Sequence, residues 1–139
     1  MDYNLAHALF GRFGVLIPLL GLFFELAGVI TKKKLVMNIA GSIVIFGSII
    51  VLLAGITGLI WLKSLYQFHS GNISLFKLHY ILGGFLTFFF LIIGSVRGIL
   101  FRKESELLSV FYIFAYVILV MLNLFDNEFI AHSIYSHQG

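Results

Sequence analysis

Apolar residues run through this chain in four long stretches, Ala8 to Ile30, Val36 to Leu62, Tyr80 to Leu100 and Leu107 to Ile130, separated by short polar or basic breaks. Each stretch is close to the roughly 20 residues that carry a helix across a bilayer. None shows the alternation of apolar and polar positions that a membrane barrel strand needs, and a helix satisfies its own backbone in lipid. The pattern predicts an all-α membrane protein with one domain over 1–139. Its helices lie at about 5–31, 35–62, 78–101 and 106–131, arranged as an up-and-down four-helix bundle.

Composition narrows the picture. The chain is 60% hydrophobic and 11% charged, with a mean hydropathy of +1.07. A soluble domain carries roughly 25% charged residues, so a soluble enzyme and a disordered chain are both excluded. Cysteine is absent, which removes disulfides, thiolate metal sites, iron–sulfur clusters and covalently attached c-type haem. The net charge of +3 does not point to nucleic acid, because the basic residues sit in short breaks between apolar runs. Lys32, Lys33 and Lys34 follow the first helix, and Arg97, Arg102 and Lys103 close the third, against Arg12, Lys63 and Lys77 at the other ends. Positive residues favour the cytoplasmic side, so both termini and a Lys63 to Leu78 loop are expected outside. Tyr3, Trp61, Tyr66, Tyr80 and Tyr135 fall at that outer boundary, as interfacial aromatics should. The first stretch does not resemble a cleavable signal, since its basic residues come after the apolar run.

In this orientation all five histidines, His7, His69, His79, His132 and His137, are expected on the outer side, with His7 and His79 opening helices 1 and 3 and the last two following helix 4. On helix 1, His7, Gly11, Gly14, Pro18, Gly21, Glu25 and Gly28 step alternately by four and three, the seam of a left-handed bundle. Helix 3 repeats the step through His79, Gly83, Leu86, Phe90, Ile93 and Arg97. The chain therefore reads as two pseudo-repeated helical hairpins, each opening on His-x-x-x-Gly. Helix 2 adds Gly41, Ser48 and Gly55 at heptad spacing, while helix 4, with Tyr112, Tyr116 and Asn123, shows less pattern and is expected to face lipid or a partner.

The interval from His7 to Glu25 equals that from His79 to Arg97, 18 residues, which is about five turns. Glu25 and Arg97 are thus expected to meet in a structural ion pair at the inner end, since charges within a span need interior partners. Snorkelling of Arg97 to inner headgroups is the competing arrangement.

Two imidazoles at matched depth, each one turn before a residue without a side chain, suit a b-type haem near the outer face. His7 and His79 are the axial-ligand candidates, Gly11 and Gly83 allow close approach, and Arg12 and Lys77 are candidates for the propionates. Such a subunit would exchange electrons with quinol in the bilayer or with an external carrier. One alternative is a cofactor-free accessory subunit of a larger respiratory complex. Another is zinc or copper(II) held by His132 and His137 with His7 or His79, helped by Asp126 or Glu128, residues that otherwise act as solvated caps.

His7-Ala-Leu-Phe-Gly-Arg-Phe-Gly, Leu-Phe-Phe-Glu25, Ala54-Gly-Ile-Thr-Gly58, the His79 and Arg97 of helix 3, and Ile134-Tyr-Ser-His137-Gln-Gly together carry a likeness over nearly the whole chain. They resemble a family of small prokaryotic membrane domains characterised only as a four-helix domain of unknown function. Its first motif resembles His-Pro-x-x-x-His-Phe-Pro, and here Arg12 and Gly14 stand in place of the second His and the Pro. The resemblance implies a relative of b-type cytochrome bundles in the prokaryotic inner membrane, beside c-type cytochrome or Rieske modules, with His7, His79 and His137 as matching ligand candidates.

Overall fold

A computed structural model describes the backbone of residues 3–68 and 74–137, and the side chains of residue 5 and of residues 8–60 and 81–128. Within the described residues the chain forms four α-helices and no strand: α1 (Tyr3–Thr31), α2 (Lys34–Phe68), α3 (Ser74–Arg102) and α4 (Glu106–His137). All four are long and apolar enough to cross a membrane. The fold is an all-α, multi-pass membrane bundle.

Three helices run well past their expected ends. α2 continues to Phe68 and α3 starts at Ser74, so most of the expected Lys63 to Leu78 loop is helical. α4 continues to His137, which puts His132 and His137 on the helix rather than after it. A helix ends at a breaker, not where apolarity stops. Lys63–Phe68 contains good helix formers and no Gly or Pro before Gly71, and no Gly or Pro lies between Asp126 and His137. At the turns, by contrast, the stops are specific. Lys32 takes a left-handed conformation (φ 57°), and its N–H donates to Gly28 O at 2.9 Å, closing α1. Ser105 caps α4, its Oγ accepting the Leu108 N–H at 3.3 Å.

The helices pack in the ring order α1, α2, α3, α4, so α1 lies diagonally opposite α3. Lipid supplies no hydrophobic drive to bring helices together, so small residues that let backbones approach hold the bundle. On the α1–α2 seam, Gly14 meets Val51, Gly21 meets Val44 and Gly28 meets Met37. On the α2–α3 seam, Gly41 meets Phe101, Ser48 meets Gly94 and Gly55 meets Thr87. Along both seams the paired positions advance by seven on one helix as they retreat by seven on the other, an antiparallel heptad register. Gly47 also faces α1, where an added Cβ would come within 3.2 Å of Ile17 and Pro18.

α4 corrects its sequence reading. It supplies Tyr112, Tyr116, Leu119, Val120, Asn123 and Asp126 to the buried interior. Positions 112, 116, 119, 123 and 126 keep the same four-three step as the seams of α1 and α3. The pattern is hidden in the sequence because the opposite face, with Phe111, Phe114, Ile118 and Phe125 exposed to the surroundings, is just as apolar. A two-faced apolar helix gives hydropathy nothing to resolve.

Candidate functional site

The polar interior has two centres, one at the turn end and one at the end that carries both termini. At the turn end, Arg97 Nε donates to Glu25 Oε1 at 2.6 Å, across the diagonal from α3 to α1. Both residues are only 7% exposed. Arg97 Nη2 also donates to Met37 O at 2.6 Å, near the start of α2, and Tyr112 Oη of α4 donates to Glu25 Oε1 at 3.1 Å. The guanidinium carbon lies 4.8 Å from the Phe101 ring centre and 5.8 Å from that of Tyr112. Every helix thus contributes a partner to one buried charge pair, and the geometry is a clamp. Gly41 makes room for it: a Cβ there would fall 2.8 Å from Arg97 Cζ.

Between the two centres runs a set of bonds that the sequence reading missed. Pro18 lacks an N–H, so the Gly14 carbonyl one turn earlier loses its helical donor. Asn123 Nδ2 of α4 supplies the replacement, donating to Gly14 O at 2.7 Å. One turn on, Tyr116 Oη donates to Pro18 O at 2.5 Å. Tyr116 is fully buried, stacks on Tyr112 and meets the edge of Phe90. The available signal was Pro18 itself: a proline inside a membrane helix frees a carbonyl that some neighbouring side chain must serve.

Toward the termini the bundle opens into a cavity of about 350 Å³, bounded by all four helices. Gly11 and Gly14 of α1 and Gly83 and Gly84 of α3 form part of its wall. A Cβ added at Gly11, Gly83 or Gly84 would meet nothing within 4 Å. The two glycines expected to allow close approach therefore border one shared space between diagonal helices. The α4 wall is polar, with Asn123, Asp126 and Asn127. Asp126 is 4% exposed, which corrects its reading as a solvated cap; it sits on the interior step of α4. Glu128 is exposed.

The remaining expected site residues divide simply. Arg12 is exposed and does not line the cavity. The side chains of His7, Lys77, His79, His132 and His137 lie outside the described residues, as does His69 altogether. The backbone nevertheless places positions 7 and 79 on α1 and α3, one helical turn nearer the termini than Gly11 and Gly83. Among the described residues no three His, Asp or Glu side chains converge as a metal site. No family model, curated protein or solved structure matches this chain.

Proposed function

We propose that this protein is a membrane electron-transfer subunit that binds one b-type haem at the termini end of the bundle, on the outer side. The observation that carries this reading is the shared cavity. Gly11 and Gly83, on diagonally opposed helices one turn from His7 and His79, border the same open space, and neither would obstruct a flat ring with side-chain atoms. The residues fit the group in two imidazole-bearing positions on opposite helices with bare backbone beside them; Arg12, exposed and off the cavity wall, and Lys77 would serve only carboxylate tails that leave the cavity. Bound there, haem supplies one-electron transfer. The chain's own part is to hold the ligands on rigid helices, with the Glu25–Arg97 clamp keeping α1 and α3 aligned some five turns away.

A reduced-minus-oxidised absorption spectrum of the purified protein in mild detergent tests the reading. A stoichiometric α-band that disappears in both His7→Ala and His79→Ala is expected. A colourless protein with bound zinc or copper would replace haem by the metal alternative at His132 and His137. One that is colourless and metal-free, yet co-purifies with larger subunits, would establish the accessory reading instead.

A further inference from the structure

The cavity also has a side opening, and its lining differs from one end to the other. On the α2 and α3 walls, Ile56, Leu59, Phe88 and Leu91 border the space and are 43–67% exposed. All four lie within the membrane-spanning segments, so this exposed face meets the hydrocarbon phase, and the lining shared by α2 and α3 reaches it beside the close Gly55–Thr87 contact as a lateral window. Across the cavity stand Asn123, Asp126 and Asn127 of α4, diagonally opposite α2 in the ring. The lining from Gly83 to Leu91 covers about 12 Å of helix at 1.5 Å per residue.

A space entered from lipid and ending on a polar wall selects molecules dissolved in the bilayer that carry a compact hydrogen-bonding head. Two properties narrow the head. Its sides are flat, because Gly14, Gly83 and Gly84 present backbone rather than side chains. It is uncharged, because Asp126 is the one ionisable residue among the described lining and already interacts within the protein. A neutral ring with oxygen substituents fits: Asn123 carries two amide N–H groups and a carbonyl, one N–H of which serves Gly14 O, and Asn127 brings a second amide. The tail of such a molecule leaves through the window beside Phe88 and Leu91.

We infer that this cavity is a binding site for a lipid-soluble quinone or quinol, head toward Asn123, Asp126 and Asn127 and tail in the α2–α3 window. The quinone head would fill the same space that the proposed function gives to haem, so the cavity holds one or the other; this site does not depend on haem, and its test reads a different signal. Trp61, the single tryptophan, follows the lining residue Leu59 on α2 by two positions, so quinone binding is read as quenching of its fluorescence. The full chain in lipid nanodiscs is titrated with a benzoquinone bearing a decyl tail. Saturable quenching is expected, weakened at least 10-fold in Gly84→Leu, a change that fills the cavity without meeting a neighbour at its Cβ. The thermal melt of that variant is recorded alongside to show that it folds. In competition, decane and decyltrimethylammonium should displace the quinone at least 10-fold less well than unlabelled quinol of the same tail. Unsaturable quenching, unchanged affinity in a folded Gly84→Leu protein, or equal displacement by the headless alkane or the ammonium compound would overturn the assignment. If Gly84→Leu does not fold, the competition series alone decides. An absent haem band together with specific quinone binding would reject the haem reading and leave this one standing; the opposite pair of results would do the reverse.

Discussion

Reversing charges at the Glu25–Arg97 clamp separates simple attraction from geometry. Removing one member of a buried pair costs about 3–5 kcal/mol, because the other charge is left without compensation. Glu25→Arg and Arg97→Glu, which put like charges together, should each lose at least that much. The double swap restores the attraction but not the directed bonds around it. Tyr112 Oη, which donates to Glu25, would face a guanidinium, and Met37 O, which accepts from Arg97, would face a carboxylate. At about 1 kcal/mol for each bond lost, the double swap should be more stable than either single change yet remain about 2–3 kcal/mol below the original protein. The measurement is unfolding by dodecyl sulfate in mixed micelles, followed by helical circular dichroism and Trp61 emission. Single reversals that cost under about 1 kcal/mol, or a double swap equal to the sum of the two, would refute the clamp.

Three further outcomes follow from the packing. Asn123→Leu strands the Gly14 carbonyl and should cost about 1–3 kcal/mol, but much less in a Pro18→Ala background, where the helix regains its own donor; an equal loss in both backgrounds would show that the Asn123 bond does not serve this carbonyl. Gly11→Ala and Gly83→Ala, each in helix and facing open space, should be neutral or raise stability by about 0.5–1 kcal/mol. Gly41→Ala, whose Cβ would fall 2.5 Å from the Phe101 ring, should lose about 1–3 kcal/mol, and indistinguishable melting temperatures across this glycine set would contradict the seam assignments. Lys32→Gly relieves a left-handed conformation that costs a side-chain-bearing residue about 1 kcal/mol, so its unfolding midpoint should rise; a fall would mean that the lysine side chain, not the turn geometry, holds this corner.

The helices and the ion pair were legible in the sequence because both follow from simple arithmetic, apolar length in one case and equal spacing in the other. Glu25 and Arg97 share an interval from their histidines, and a helix converts equal intervals into equal depth. The glycines of the cavity wall were legible for the same reason. What could not be read was anything carried by α4, whose interior step of Tyr112, Tyr116, Asn123 and Asp126 is flanked by phenylalanines on the far side. Asp126 illustrates the point: near a helix end it looks solvated, and only the placement of three other helices makes it interior. The side window depends on how far α2 and α3 part, a property of tertiary packing to which no local pattern corresponds.

The double seam on α2 makes that helix the common ruler of the bundle. Deleting one residue between Ser48 and Val51 would rotate everything beyond it by about 100°, taking Val51 away from Gly14 and Gly55 away from Thr87 in a single step. The same deletion in α4 would disturb one neighbour's bonds and leave both glycine seams aligned. Length changes in α2 are therefore the least tolerable in the chain, and any insertion that survives there should come in units of a whole heptad.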